Sequence, residues 1–398
     1  MAYIRRRGCK CPKDAKRCTC GAKWSFTVDI GVDPVTGKRK QYTKSGFDTR
    51  RDAELAAAKV EAEVASGTFV RETRVTFEEY AELWLKTYRM SGHKPSSVRL
   101  REFQVQVLLR YFAKLPLPSI SRKRYRETVL DLCSKMERKT VREIHGVARA
   151  IFRMAVQDGD LKTDPTEHVK IPTDSEETEL PKYMEKEQLR EFLRLAKYRG
   201  LPGDYPFFLL LAYTGMRIGE ACALKWADVN RQERTISING TLWNPNDIST
   251  QYEILPPKTK KSRRTIEVDP IVFAALDEWK AKQNEVKMLH RKTYHDGDFV
   301  FGRIDAAYGY PPKIRTMELR MDRLTQWMNL PYRLTPHSLR HTHVSLLAEA
   351  GVSLEAIMDR IGHSDGKVTR QVYLHVTKQM KSDAAQKFSA LMSDVVKL

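Results

Sequence analysis

Thr335-Pro336-His337-Ser338-Leu339-Arg340-His341-Thr342 decides the reading of this chain. From Pro336 onward the sequence reads as helical. On a helix, the three-residue spacing of His337 and Arg340 puts both side chains on one face, where they can grip one anion together. Downstream come Gly362-His363 and then Tyr373, and far upstream lies Thr214-Gly215-Met216-Arg217-Ile218-Gly219-Glu220. Two arginines, two histidines and a late tyrosine form a set able to hold a phosphodiester and attack it. Such a set requires no metal ion.

The bulk properties point to the same partner. A chain of 398 residues has room for two to four domains, and 41% hydrophobic content is ordinary for a globular protein. Its 70 Lys and Arg against 50 Asp and Glu predict a polyanionic partner, most simply nucleic acid. Residues 1–51 hold fourteen basic and four acidic residues, half of the whole excess, so a basic N-terminal arm or small module is expected. The longest apolar run, Phe207 to Ala212, is far too short to span a bilayer. The stretch Met1-Ala2-Tyr3-Ile4-Arg5-Arg6-Arg7 lacks the apolar core of a signal peptide. A soluble cytoplasmic protein with reduced cysteines is the expectation.

Four of the six cysteines crowd the start as Cys9-Lys10-Cys11 and Cys18-Thr19-Cys20. Two such pairs closing a short basic loop offer four thiolates to a tetrahedral zinc. Lys23 to Val32 alternates like a strand, Asp33-Pro34-Val35-Thr36-Gly37 turns, and Lys38 to Lys44 returns. Asp48-Thr49 opens an alanine-rich helix that Gly67 stops. A two-stranded basic ribbon of this kind fits the DNA major groove.

Thr76-Phe77-Glu78-Glu79 is a capping box, and helical patterns then run to Asp158-Gly159, predicting a helical bundle. Its aromatic stripes, Phe77, Tyr80, Trp84 and Tyr88, read as core. Arg99, Arg101, Arg110, Lys114, Arg122, Lys123, Arg124 and Arg126 can track phosphates. Three prolines and an acidic run mark residues 160–182 as a linker. Beyond it a mixed domain is expected, with helices at 185–199, 204–214, 217–226 and 270–289. Strands are expected at 234–239, 252–256, 264–268 and Asp298-Phe299-Val300-Phe301.

Phosphoryl transfer needs a nucleophile, stabilisation of the charge on phosphorus and a proton for the leaving oxygen. Guanidinium groups at Arg217 and Arg340 present planar paired donors to phosphate oxygens. His337 and His363 can donate hydrogen bonds or shuttle a proton. Lys258, at the head of the basic hairpin Pro257-Lys258-Thr259-Lys260-Lys261-Ser262-Arg263-Arg264, can protonate a departing 5′ oxygen.

As an ordered set, TGMRIGE, KTKKSRRTIEV, TPHSLRHTH, IGHSD and VYLHV resemble the tyrosine recombinase family. More narrowly, the set is similar to phage and integrative conjugative element integrases of the Gram-positive type. The resemblance covers nearly the whole chain. It implies a multidomain, mainly α protein with small β-sheets. Residues 1–70 would form an N-terminal three-stranded-sheet-plus-helix arm-binding module, in which the cysteine cluster, Cys9, Cys11, Cys18 and Cys20, lies. Residues 75–160 would be a helical core-binding bundle, 160–182 the linker, and 183–398 a mixed α/β catalytic domain. Carried across, the family pattern makes Tyr373 the nucleophile and Arg217 and Arg340 the phosphate-binding pair. His337 and His363 become the two histidines, Lys258 the general acid and Glu220 the supporting acidic residue. Lys260 lies on the same strand face as Lys258 and is the alternative. The cysteine pairs are not general to the family.

The implied reaction integrates and excises a mobile element through a 3′-phosphotyrosine and a Holliday junction, without ATP, catalytic metal or other cofactor. The implied partners are double-stranded DNA at core and arm sites, a homotetramer, and accessory DNA-bending or directionality proteins, with no membrane. The implied setting is the bacterial cytoplasm, on the nucleoid when bound to DNA. An amphipathic tail with Phe388, Leu391 and Met392 would dock on a neighbouring protomer.

Rival readings fit less of the sequence. Arg217 beside Glu220 can be a surface ion pair, and Tyr373 is one of sixteen tyrosines. His337 and His341 have metal-ligand spacing but no acidic partner at a familiar distance. A type IB topoisomerase would not need the separate basic module, and a DNA-binding regulator would not need every catalytic residue type. A metal-dependent transposase or nuclease would need converging carboxylates, which the sequence does not offer.

Overall fold

Three antiparallel strands open the chain in the computed structural model, which describes residues 2–6, 8–11, 20–32, 37–66, 69, 75–172, 182–257, 262–362, 366–378, 389 and 392. They are β1 (Tyr3–Arg6), β2 (Trp24–Val32) and β3 (Arg39–Phe47), paired in the order β1-β2-β3. Alternation along β2 sends Phe26 and Val28 to one face, which α1 (Arg50–Ala65) covers with Ala53 and Ala57. The Thr49 hydroxyl starts α1 by accepting the Asp52 amide at 3.1 Å. This module belongs to the first of two compact units, Met1–Ser175 and Glu176–Leu398.

Among the described residues, four α-helices complete the first unit: α2 (Phe77–Met90), α3 (Pro95–Phe112), α4 (Arg122–Lys135) and α5 (Arg138–Gln157). The capping box forms, with the Thr76 amide on Glu79 at 2.8 Å and the Glu79 amide on the Thr76 hydroxyl at 3.3 Å. Phe77, Phe112, Tyr125 and Phe152 meet inside, so the aromatic residues at these positions are core. Packing continues beyond Asp160, because Leu161 and Val169, within the stretch expected as linker, are buried in the same cluster. The acidic run lies in residues 173–181, outside the described residues.

The second unit is built around α7 (Asp204–Thr214), whose Phe207 to Leu211 are buried on all sides, as an all-apolar helix must be. Around it pack α6 (Lys186–Tyr198), α9 (Pro270–Leu289) and α11 (Pro336–Glu349). The short α8 (Ile218–Ala223) follows α7 and leads to a small sheet of β4 (Val229–Asn230), β5 (Thr235–Ile238) and β8 (Arg264–Glu267). A separate hairpin of β6 (Thr241–Trp243) and β7 (Glu253–Leu255) lays its first strand against α8. Next in the chain come α10 (Ile314–Gln326), α12 (Leu354–Ile361) after α11, and a final helix over residues 367–378.

The strand expected at 298–301 does not form. Phe299 makes one isolated bridge to Lys225, and buried side chains take the carbonyls a ladder would have used. Trp279 donates to the Val300 carbonyl at 2.7 Å, and Gln283 to that of Phe299 at 3.0 Å. Among the described residues, no helix is long and apolar enough to cross a membrane.

Candidate active site

The site begins where α7 stops. Gly215 ends that helix in the left-handed region, φ +61°, and a Cβ there would meet the His343 ring at 2.7 Å. Only glycine suits both demands. The chain then turns into α8 with Arg217 at its N-cap position. Glu220, one turn on, takes the Arg217 amide at 2.9 Å with one carboxylate oxygen and the Arg217 guanidinium at 2.8 Å with the other. The first of these oxygens also accepts from Arg264 at 2.9 Å. Burial alone would raise the Glu220 carboxyl, yet Arg264 foremost, and Arg217 with it, holds it below the usual carboxylate range. Glu220 is therefore an anion set between two arginines.

From the other side comes α11. Pro336 takes its first turn, and the Thr335 amide bonds the Ser338 hydroxyl at 3.2 Å. Arg340 points inward and is 1% exposed. It donates to the Gly215 carbonyl at 2.6 Å and to the Ile361 carbonyl at 2.7 Å, while its Nε has no partner among the described residues. Burial, then the charge of Arg217, brings its guanidinium down to about 9, which leaves it protonated at neutral pH. His337 is also lowered, first by burial and then by Arg340 and Arg217, so it is neutral there. His341, edge-on to His337 with ring centres 4.9 Å apart, is pushed down to about 4 by burial and by His337. Among the described residues, no third His, Cys, Asp or Glu ligand closes on this pair.

These contacts bring Arg217, Glu220, His337 and Arg340 to one place. Arg217, Arg264 and Arg340 face a single carboxylate, Glu220, in their described surroundings. A partly buried excess of positive charge of this kind is relieved by an anionic ligand. Tyr373 lies on the helix over 367–378, half-buried against a cluster that includes Val344, Ile357, Ile361 and Val372. Since Val344 is on α11 and Ile361 ends α12, the tyrosine rests on the elements that hold Arg340. His363, Lys258 and Lys260 lie outside the described residues.

Arg264 and His343, with Arg360 between them, carry more of the site than their sequence motifs suggest. Arg264 joins Glu220 to the carbonyl of Arg360 at 2.9 Å, tying β8, α8 and α12 together. Its signal was present, because strand alternation pairs it with Ile266, the buried residue of β8. His343 donates from Nδ1 to the Ala212 carbonyl at 2.9 Å, and its Nε2 accepts from Arg360 at 3.2 Å. That pairing requires a neutral ring, and burial pushes its pKa to about 3.

In the first unit, Arg99, Arg110, Lys114, Arg122, Lys123, Arg124 and Arg126 are exposed, as phosphate-tracking residues must be, whereas Arg101 is half-buried and donates to Gln104 at 2.7 Å. The cysteines of the N-terminal module also converge. The sulfurs of Cys9, Cys11 and Cys20 lie within 4.8 Å of one another, and Cys18 lies outside the described residues.

Residues 182–380 match the phage integrase family, and residues 4–64 match a family described as an arm DNA-binding domain. The probable integrase of prophage ps2 from Lactococcus lactis subsp. lactis (strain IL1403) is 30% identical over 371 residues, covering 88% of this chain and 93% of that protein. The Tn1549 transposon integrase, solved in complex with transposon right end DNA, aligns with a TM-score of 0.62 and 25% identity over 78% of this chain and 100% of its own. A lambda integrase tetramer bound to a Holliday junction shares the fold at a TM-score of 0.54 and 15% identity, over 90% of this chain and 97% of its own.

Proposed function

This chain belongs to the phage integrase family and is a tyrosine-type site-specific recombinase, and we propose that Tyr373 is its nucleophile and that Arg217 and Arg340 clamp the scissile phosphate. What supports this assignment is the gathering of Arg217, Arg340 and neutral His337 around Glu220, with more positive charge than one carboxylate balances. The Tyr373 oxygen attacks phosphorus as its proton leaves to a neighbouring base, and the bond from phosphorus to the 5′ oxygen breaks. Lys258, with Lys260 as the alternative, gives the departing oxygen a proton. His337 and His363 hydrogen-bond the phosphate oxygens, and the two guanidinium groups stabilise the charge that builds there. A 3′-phosphotyrosine and a free 5′ hydroxyl remain. The ester's energy is kept, so the hydroxyl of a partner strand can run the step backwards and rejoin DNA.

The reading extends to double-stranded DNA as substrate, with the N-terminal module on arm sites and the other domains on the core site. Four protomers would exchange two strand pairs in turn through a Holliday junction, aided by accessory DNA-bending or directionality proteins. The setting is the bacterial cytoplasm, on the nucleoid. Tyrosine recombinases need no cofactor for cleavage, and the one metal in the proposal is a structural zinc in the N-terminal module.

The test uses a nicked core-site duplex in EDTA without nucleotide, which traps any covalent adduct. Wild type should form an SDS-resistant protein–DNA adduct and Tyr373→Phe should form none. An adduct in the variant moves the nucleophile to another residue. DNA binding without an adduct in the wild type would reduce the chain to a binding protein.

A further inference from the structure

The end of the first β-ladder carries a feature that recombination chemistry does not use. Pairing of β1 with β2 runs from Tyr3 opposite Thr27 to Arg6 opposite Trp24, and the chain leaves the ladder there. Cys9 follows the last paired residue of β1, and Cys20 precedes the first of β2. Their sulfurs are 3.5 Å apart, and that of Cys11 lies within 4.8 Å of both. A disulfide would bring two sulfurs to about 2 Å. Thiolates sharing a tetrahedral zinc, each about 2.3 Å from the metal, sit roughly 3.8 Å apart.

We infer that Cys9, Cys11 and Cys20 ligate a zinc ion that closes the β1–β2 ladder and fastens the N-terminal module. Cys18, outside the described residues, is the sequence's candidate for the fourth ligand. The module has a physical need for such a fastening. Its core is Phe26, Val28 and Ala57, with Ala2, Ile4, Tyr42, Phe47, Ala56 and Val60 packed around them. A core of that size seldom holds a small domain together without a staple. The local sequence is also basic, with Arg5, Arg6 and Lys10 close to the cysteines along the chain, and nearby positive charge favours the thiolate form.

The fastening has a consequence for recognition. At the same ladder end, the Arg6 guanidinium lies over the Trp24 ring at 4.6 Å, and that of Arg50 lies 5.9 Å from it. A metal fixing the strands there holds Arg6 on Trp24 beside Arg50 of α1, a basic edge suited to phosphate. This last step rests on the arm-site reading, whereas the metal site does not.

The experiment takes the full-length chain, purified under reductant, and measures metal by mass spectrometry. About one zinc per chain is expected, retained in the Cys133→Ser/Cys222→Ser variant and lost in Cys9→Ser/Cys20→Ser. Cobalt(II) added to chelator-stripped wild type should give the charge-transfer absorption of thiolate coordination. Wild type without zinc and without that absorption overturns the inference, as does equal zinc in the Cys9→Ser/Cys20→Ser chain. Stripping zinc should weaken binding of an arm-site duplex at least tenfold and leave cleavage of the nicked core duplex within twofold. Unchanged arm binding would overturn the recognition role. Zinc-loaded protein that ignores arm DNA would sink the arm-site reading while the metal site stands.

Discussion

Arg340 shows how much depends on a single side chain. Both its terminal nitrogens are held by carbonyls from distant parts of the chain, so its fork is aimed before any ligand arrives. Lysine keeps the charge but cannot span two carbonyls and an anion together. Arg340→Lys should therefore lower the single-turnover cleavage rate ~100-fold or more, with binding of the uncleaved duplex little changed. Equal loss of binding and cleavage would mean that Arg340 is only a structural strut. A second residue-scale effect concerns acid. His341 and His343 have folded pKa values of about 4 and about 3, well below the ordinary histidine value. Their neutral forms add stability that is complete above about pH 6.5 and is lost as the pH falls toward those folded values. The melting temperature should drop by roughly 5 °C or more between pH 6.5 and 4, and less steeply in His341→Gln. An unchanged slope in that variant would remove His341 from the account.

At the scale of elements, Arg264 is the piece whose loss should spread furthest. It joins β8 to α8 through Glu220 and to α12 through the Arg360 carbonyl. Arg264→Gln leaves a buried carboxylate short of a partner, costing about 3 kcal/mol, and lets the Glu220 pKa rise. The acid limb of the cleavage rate should then move to higher pH, while Arg264→Lys restores part of it. A stability loss with an unmoved pH profile would make Arg264 structural only. The helices around the site were legible in sequence, because Gly215 and Pro336 mark their ends by local chemistry, as the Thr76 box does for α2 in the first unit. The common helix of His337 and Arg340 was legible by spacing, whereas Arg217 entered through the family resemblance. What stayed hidden depends on contacts between distant segments. Phe299-Val300 looked like a strand because a run of apolar residues cannot announce that Trp279 and Gln283 will claim its carbonyls. The helix α10 was missed because only Met317, Met321, Leu324 and Thr325 are buried along a charged segment. Arg264 read as one more basic hairpin residue, though its buried neighbour Ile266 held the clue.

At the scale of the whole molecule, the two halves of the task are proposed to separate along the chain. Removing residues 1–70 should abolish arm-site footprints and leave the core footprint measurable, and surviving arm footprints would refute the division. The tail with Phe388 and Leu391 lies outside the described residues, while Met392 is helical and exposed. Deleting residues 380–398 should impair recombination at least tenfold more than single-site binding, in line with the avidity of linked contacts. Equal losses would remove the tail from any coupling between protomers.

The two-carbonyl seat of Arg340 also bears on how one subunit of an assembly could be kept idle. Withdrawing the arginine would strip two buried carbonyls and unseat the turn at Gly215. The helix that carries Tyr373 rests instead on a modest apolar patch. If Tyr373 is the nucleophile as proposed, idling would be cheapest there: the anion seat would stay cocked in every subunit, and timing would belong to the tyrosine.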